Sequence, residues 1–166
     1  PQKNIVLNIN SLGTKEDMNN YKEALKKFFS GKKSRLSEDS QNKIISNPMR
    51  ILDSKLDQDI EACIDSPMIY EFLSQDSKKH YENIKSSLKF MNINYKENSK
   101  LVRGLDYYCS TVFEFKTEDL GTQDTILGGG RYDGLISNLG GPNLSGIGWA
   151  AGVERISMLM NKLEDN

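Results

Sequence analysis

The chain opens with an alternation of apolar and polar residues that is typical of a β-strand. Over residues 4–10 the side chains of Ile5, Leu7 and Ile9 fall on one face, and the pattern stops at Gly13. Strand side chains alternate between two faces, so a period of two indicates a strand with one buried face. We expect a short strand of a larger sheet here, closed by a turn at the glycine.

The period changes to that of a helix after the glycine. Thr14 is a suitable N-cap, and Gly31 is of the residue type that most often ends helices. Between them, apolar residues recur three or four positions apart at Met18, Tyr21, Leu25 and Phe28. This spacing predicts an amphipathic helix.

Two shorter helical pieces are predicted next, over residues 38–45 and 55–63. Asn47 and Pro48 lie between them. A residue that precedes proline is biased away from the helical conformation, so we expect a break at this point.

The last helices before the second half of the chain follow a second proline. Pro67 suits the first turn of a helix over residues 68–73. A longer stripe at helical spacing consists of Tyr81, Ile84, Leu88 and Met91. Residues 11–94, called the helical segment below, are therefore predicted to form a small helical subdomain.

Beyond Lys96 the pattern returns to strands and glycine-rich stretches. Phe113 and Phe115 face opposite to Val112 and Glu114, as in a strand. Clusters of glycine mark turns or places where two backbones come close. After Gly152 a helical face returns with Val153, Ile156, Leu159 and Met160.

Composition and charge exclude several classes of function. A formal net charge of −1 and an isoelectric point near 5.9 give no general attraction to nucleic acid, so any RNA contact must be local. Two distant cysteines and a single histidine indicate neither a disulfide framework nor a metal site, and a reduced cytoplasmic location fits. We expect no membrane contact, because no apolar run approaches spanning length.

Three of the five arginines lie within a few residues of glycine in the later part of the chain. They are Arg103, Arg131 and Arg155, whereas most other cations are lysines. A guanidinium is planar and permanently charged, and it grips carboxylate or phosphate through two parallel hydrogen bonds. The placement therefore indicates an anionic ligand.

The segments that contain these arginines follow one another in order. They read Leu101-Val-Arg-Gly-Leu-Asp-Tyr-Tyr108, Gly128-Gly-Gly-Arg-Tyr-Asp-Gly-Leu135 and Gly146-Ile-Gly-Trp-Ala-Ala-Gly-Val-Glu-Arg-Ile156. Alone, the second could be a tight turn between strands. Together they resemble the two signature peptides of the histidyl-tRNA synthetases followed by motif 3 of the class II aminoacyl-tRNA synthetases. The resemblance extends upstream through Asn8-Ile-Asn-Ser-Leu-Gly13, Asn47-Pro-Met-Arg-Ile-Leu-Asp-Ser-Lys55 and Ser66-Pro67.

The resemblance implies an α+β fold that is part of a class II antiparallel-sheet catalytic core with a helical insertion. Residues 1–10 would be a core strand, 11–94 the insertion and 95–166 the rest of the core. The implied activity is ATP-dependent activation of histidine, with magnesium, and transfer to tRNA(His) by a cytoplasmic homodimer. Nothing in the chain matches motif 1, motif 2 or the anticodon-binding domain. We therefore expect a fragment that is inactive by itself.

Arg103 is the predicted catalytic residue. In the family, the arginine at this place contacts the histidine carboxylate and the α-phosphate of ATP, and adenylate formation needs fixed cations more than a nucleophile and a base. Gly104 has no Cβ and lets another group approach. The alternative is a structural salt bridge from Arg103 to Asp106 or Glu114.

The resemblance also implies a set of histidine-binding residues: Arg103, Tyr107, Tyr108, Gly129, Gly130 and Tyr132. A phenol can exchange a hydrogen bond with an imidazole nitrogen while its ring excludes water. The adjacent tyrosines reach one pocket only if the backbone turns near them. The glycines are interpreted as a loop against the ligand. Alternatively, the tyrosine pair belongs to the core and Arg131 pairs with Asp133.

ATP is expected to contact Gly148, Gly152 and Arg155. Arg155 matches the motif 3 arginine, which in the family clamps the phosphates, and the two glycines would frame a floor under the adenine. Packing alone is the alternative for these glycines.

Other polar positions are less specific. A cluster of cations at the end of the first predicted helix is a candidate tRNA contact, although cations there also suit the helix dipole: Lys26, Lys27, Lys32, Lys33 and Arg35. His80 is interpreted as an exposed surface residue. Cys109 and Ser110 depart from the family, which usually has Thr-Gly or a similar pair after the tyrosines.

Two other functions stay open. One is that of the regulatory paralogue of ATP phosphoribosyltransferase, which shares the fold without charging tRNA; Arg103 and Arg155 argue against it. The other is a synthetase-like module that senses uncharged tRNA. A Phe-Arg-x-Glu segment upstream would indicate catalysis, and its loss would indicate regulation.

Overall fold

A computed structural model describes residues 4–121 and 124–164. These residues form one five-stranded sheet and six α-helices. The strands are β1 (Ile5–Ser11), β2 (Tyr95–Glu97), β3 (Cys109–Thr117), β4 (Thr125–Tyr132) and β5 (Gly146–Ala151). The helices are α1 (Lys15–Gly31), α2 (Glu38–Ser46), α3 (Asp57–Ala62), α4 (Gln75–Phe90), α5 (Leu135–Asn138) and α6 (Val153–Glu164).

The sheet has the order β2-β1-β3-β4-β5. The short strand β2 runs parallel to β1, and all other neighbours are antiparallel. The predicted α+β fold with a largely antiparallel sheet is confirmed. Because β4 lies between β3 and β5, residues of three strands meet on each face around it.

Helix α1 begins as its sequence predicts. The Thr14 hydroxyl accepts from the backbone N–H of Asp17, whose carboxylate accepts from the N–H of Thr14, so the two residues form a capping box. The buried stripe ends at Phe29 rather than at the predicted Phe28, which is only partly buried. Both residues fit helical spacing after Leu25, and only the position of the core selects between them.

The predicted helix over residues 68–73 is a 3-10 turn over Ile69–Phe72 instead. The Tyr21 hydroxyl of α1 donates to the carbonyl of Pro67 at 3.0 Å. This bond holds the start of the segment against α1, and Met68 follows in an extended conformation. The other predicted helices are present, and His80 on α4 is half-buried rather than exposed.

One hydrophobic cluster joins the helical segment to the sheet. It contains Leu25 and Ile51 from the helical side and Leu101, Tyr108 and Val112 from the sheet side. A second cluster packs Tyr81 of α4 against the opposite face of the sheet, where Leu7 and Ile9 lie with the partly buried Phe113 and Phe115. The predicted alternation in β3 is confirmed, because Val112 and Phe113 enter different clusters.

Candidate functional site

The backbone turns between Arg103 and Tyr108, as a shared pocket requires. Val102 and Tyr108 are buried at either end of this turn, and the Tyr108 N–H donates to the carbonyl of Leu105 at 3.4 Å. The Tyr107 and Tyr108 rings consequently lie side by side, with centroids 4.7 Å apart. We call residues 103–108 the arginine turn.

The guanidinium of Arg103 lies against the middle of β4. A Cβ atom placed on Gly128 would be 2.4 Å from its Nη1, and its Cζ lies 5.6 Å from the centroid of the Tyr108 ring. The Nε–H is buried, and the described residues offer it no hydrogen-bond partner. Buried donors are nearly always satisfied, so this unpaired cation fits an anionic ligand.

The alternative salt bridges of Arg103 are not formed. The carboxylate of Glu114 pairs with Lys116 at 3.1 Å and accepts from the Thr125 hydroxyl. The carboxylate of Asp106 accepts from the side-chain amide of Asn47 at 3.4 Å. The guanidinium of Arg103 therefore keeps its charge without an ion pair among the described residues.

Three tyrosines form an aromatic wall beside Arg103. The Tyr132 ring meets the rings of Tyr107 and Tyr108 edge-on, with centroids 5.6 and 6.1 Å away and an interplanar angle of 79° in both cases. A side-chain hydrogen bond with Tyr108, more than burial, raises the pKa of Tyr107. Tyr107 therefore remains a neutral phenol near pH 7, which can both donate and accept a hydrogen bond.

The three glycines predicted as a loop lie within strand β4. Gly129 pairs with Phe113 on one side and with Trp149 on the other. A Cβ on Gly129 would be 2.3 Å from the carbonyl oxygen of Gly148. The loop prediction is thus wrong, because close approach of the neighbouring strands, rather than a turn, accounts for the glycines.

The glycines divide between the two faces of the sheet. Gly130 faces Tyr108, whose Cδ1 would lie 2.8 Å from an added Cβ, and so shares the face of Gly128 and Arg103. Gly129 faces the other side with Trp149. The backbone of β4 at Gly128 and Gly130, which carries no side chains, therefore lies beside Arg103 and Tyr108. A role for Gly129 in binding histidine stays a prediction.

Gly148 on β5 makes room for the aromatic wall. A Cβ on Gly148 would be 2.7 Å from the Tyr132 hydroxyl, and one on Gly146 would be 2.3 Å from the same ring. Packing thus accounts for Gly148 in this structure. Its predicted contact with ATP stays untested.

Arg155 lies at the opposite end of β4 from the tyrosines. Its guanidinium donates to the backbone carbonyl of Thr125, and the Gly152 N–H donates to the carbonyl of Ile126 at 3.0 Å. Among the described residues, none of the hydrogen bonds of Arg155 reaches Arg103 or the aromatic wall. The predicted site residues therefore occupy both ends of one strand.

Arg131 forms a salt bridge with Asp133, which is the alternative that the sequence left open for it. Its Nε donates to both carboxylate oxygens of Asp133, at 2.8 and 3.0 Å, and Nη2 donates to Ser145. Burial alone would raise the pKa of Asp133, but hydrogen bonds from Arg131 and its neighbours outweigh burial and lower it. The Asp133 N–H also donates to the Cys109 sulfur, so this pair fixes the end of β4.

The helical segment contributes a contact that the sequence analysis did not assign. The Arg50 guanidinium donates through Nη2 to the carbonyl of Gly104 at 2.5 Å, and an added Cβ on Gly104 would be 3.0 Å from that nitrogen. The group that approaches Gly104 is therefore a side chain of the protein. The run Asn47-Pro-Met-Arg50 was part of the resemblance, but its spacing carries no signal for this contact.

A cavity of about 320 Å³ opens between the start of α1 and the arginine turn. The N-cap Thr14 and Met18 of α1 line one side of it, and Tyr107 and Tyr108 of the arginine turn line the other. Its volume is at the lower limit of ordinary ligand pockets.

Neither a metal-binding cluster nor a membrane-spanning helix is found in the part of the chain that the structure describes. Within residues 4–121 and 124–164, no group of three or more His, Cys, Asp or Glu side chains could hold a metal ion. In the same part of the chain, no helix combines the length and apolarity needed to cross a membrane. Cys63 and Cys109 are both free thiols.

Comparison with known proteins yields close relatives although no family model matches the chain. The chain is 47% identical over 162 residues to a histidine–tRNA ligase of Gloeothece citriformis and 50% identical over 159 residues to one of Wolbachia pipientis wMel. The chain is a homologue of the histidine–tRNA ligases. These matches cover 98% and 96% of the chain but only 38% and 39% of the relatives, so the chain spans about two fifths of their length.

Solved structures agree with the histidine–tRNA ligase homology. A crystal structure of apo histidyl-tRNA synthetase from S. aureus matches with a TM-score of 0.70 and 36% identity, over 96% of this chain and 38% of that one. An ATP phosphoribosyltransferase regulatory subunit/histidyl-tRNA synthetase from Bacillus halodurans C matches with a TM-score of 0.51 and 18% identity, over 90% of this chain and 42% of that one. The second likeness shows the fold alone.

Proposed function

We propose that the chain is part of a histidine–tRNA ligase and that the face of β4 lined by Arg103 and the tyrosines binds histidine and ATP. The observation that carries this proposal is the buried, unpaired Nε–H of Arg103, whose guanidinium lies against Gly128 in the glycine stretch of β4. A fixed cation beside bare backbone can receive an anion at short range. Homology at 47–50% identity supplies the reaction class.

The proposed roles follow from position. Arg103 receives the histidine carboxylate and the α-phosphate, while Tyr107, Tyr108 and Tyr132 enclose the imidazole. Arg155 receives the distal phosphates of the magnesium–ATP substrate after exchanging its bond to Thr125 for one to phosphate. Gly130 leaves room for the Tyr108 ring, which borders the proposed histidine site. Cytoplasmic location and a homodimeric state, which we also propose, rest on the resemblance alone.

The proposed chemistry requires charge stabilisation rather than proton transfer. A carboxylate oxygen of histidine forms a bond to the α-phosphorus of ATP, and the bond from that phosphorus to the bridging oxygen breaks as pyrophosphate leaves. Negative charge grows on the phosphoryl oxygens during this step. A preorganised guanidinium is effective there because it needs no reorganisation.

The proposed function is tested by histidine-dependent exchange of labelled pyrophosphate into ATP. A protein of full family length that contains this segment is expected to show exchange with histidine and none without it. The 166-residue chain alone is expected to show none, since no second arginine from a motif 2 segment faces Arg103. Histidine binding by the full-length protein without exchange would instead favour the regulatory paralogue.

A second experiment addresses tRNA, which we propose is contacted by the exposed members of the basic cluster. Lys26 pairs with Glu23 at 2.7 Å, and Lys32 pairs with Asp65 and lies over the Phe28 ring. The exposed cations without such a partner are Lys27, Lys33 and Arg35. These three are therefore the members of the cluster that we propose contact phosphate.

Replacing Lys27, Lys33 and Arg35 with alanine is expected to weaken tRNA charging and to lower the salt dependence of tRNA binding by about one unit of log–log slope per lost contact. Histidine-dependent exchange should not change. The matched control removes three other exposed lysines, Lys55, Lys79 and Lys89. Equal losses in the two triple variants would contradict a local tRNA contact.

A further inference from the structure

The arginine turn makes few bonds of its own. Leu101 and Val102 are buried before it, and Tyr108 is buried at its end. Between these anchors, the hydrogen bond from Tyr108 to Leu105 is long, at 3.4 Å, and Leu105 is 54% exposed. The turn therefore needs outside contacts to hold Arg103 in one orientation.

The helical segment supplies two such contacts. Arg50 donates to the carbonyl of Gly104 at 2.5 Å, directly after Arg103 in the chain. Asn47 donates to the Asp106 carboxylate at 3.4 Å. Both donors belong to one short stretch of the helical segment. The position of this stretch therefore affects the conformation of the arginine turn.

The residues on either side of Arg50 are buried in the hydrophobic core. Its neighbours Met49 and Ile51 are 6% and 1% exposed and belong to the same hydrophobic cluster as Leu101 and Val102. The described residues include no carboxylate within salt-bridge distance of Arg50. Its charge is therefore directed at a backbone carbonyl, and charge-assisted hydrogen bonds are stronger than neutral ones.

We propose that Arg50 is a positioning residue that fixes Arg103 for adenylate formation and so makes this step depend on the helical segment. This inference rests on the proposed function. Gly104 contributes to the same contact, because its lack of a Cβ allows the Arg50 guanidinium to lie against the arginine turn. A shift of about 1 Å in a catalytic group can cost about a hundredfold in rate.

The test uses a full-length protein containing this segment and measures histidine-dependent pyrophosphate exchange without tRNA. Arg50→Ala is expected to lower kcat by about 10- to 100-fold, the range for one hydrogen bond to a charged group. The KM values for histidine and ATP should change little. Arg50→Lys is expected to recover part of the loss, since an ammonium can donate to the Gly104 carbonyl without the planar fork.

Two comparisons separate positioning from a merely structural role. Lys55→Ala removes a cation five residues after Arg50, where the Lys55 side chain is 75% exposed, and is expected to leave kcat unchanged. In an Arg103→Lys background, Arg50→Ala should have almost no further effect, because residues acting through one group are not additive. Thermal unfolding of each variant measures the folded fraction at the assay temperature.

The outcomes are distinguishable. An equal factor for Arg50→Ala in both backgrounds, a loss no greater than that of Lys55→Ala, or a loss that tracks unfolding would each overturn the positioning role. If Arg50→Ala does not fold, Arg50→Lys in the two backgrounds gives the same comparison. A wild-type protein without exchange would reject the proposed function itself, and this inference with it.

Discussion

Arg103→Lys is expected to lower histidine-dependent pyrophosphate exchange by about a hundredfold in a full-length protein that contains this segment. Loss of one preorganised donor to a developing negative charge typically costs about 3 kcal/mol, which corresponds to this factor. Lysine keeps the charge but not the planar fork, and its ammonium cannot make two parallel bonds to an anion. Exchange kinetics at saturating histidine and ATP measure the effect.

Folding is expected to be spared in Arg103→Lys. The Nε–H of Arg103 has no partner in the described part of the chain, so its removal breaks no hydrogen bond of the protein. Arg131→Lys is the matched control, because it makes the same exchange at a guanidinium that pairs with Asp133. Near wild-type exchange in Arg103→Lys, or an equal fall in both variants, would contradict the assigned role.

Asp59→Ala is expected to destabilise the fold by about 3 kcal/mol or more. The side chain of Asp59 is fully buried and accepts four hydrogen bonds, from the Ser37 N–H and from the hydroxyls of Ser37, Ser40 and Ser54, at 2.7–2.8 Å. Each donor left buried without a partner costs about 1–3 kcal/mol. Urea unfolding measures the change in the free energy of unfolding.

Asp57→Ala is the matched control for Asp59, since it removes an exposed carboxylate from the same helix. It should change stability by about 0.5 kcal/mol or less. A free energy of unfolding that falls equally in both variants would show that the buried network contributes nothing.

The stability of the fold should also depend on pH through the ionisation of Asp59. Burial alone would raise the pKa of Asp59, but the hydrogen bonds from Ser37, Ser54 and Ser40 outweigh it and lower the pKa below its ordinary value. A carboxyl whose pKa is lower in the folded state stabilises the fold above the unfolded pKa. That contribution is lost as the pH falls below about 5 and through the folded pKa. Asp59→Asn should therefore flatten the acid side of the stability curve.

Local patterns were sufficient for most elements. The N-cap at Thr14 and the stripe of Met18, Tyr21 and Leu25 depend on residues within one or two helical turns of each other. The strand alternation around Val112 likewise depends on near neighbours. Such contacts are encoded by spacing, and the structure confirms them.

The sequence also indicated which residue types form the candidate site, because the arginine, glycine and tyrosine motifs occur in a recognisable order. The three arginine-containing segments were sufficient to indicate the histidine–tRNA ligase homology. They did not reveal which arginine is free. Arg103 and Arg131 both lie near glycine, but one lies unpaired against Gly128 while the other pairs with Asp133. That difference depends on which strands meet, which no local pattern specifies.

Sequence alone determined most of the elements, the order of the motifs and the homology with the histidine–tRNA ligases, because these depend on neighbours along the chain. Tertiary structure decided that the glycines lie inside β4, that Phe29 rather than Phe28 enters the core, and that Arg50 holds the arginine turn. Each of these depends on groups that are distant in sequence. Arg50 and Gly104 are 54 residues apart, and only packing of the helical segment against the sheet brings them within 2.5 Å.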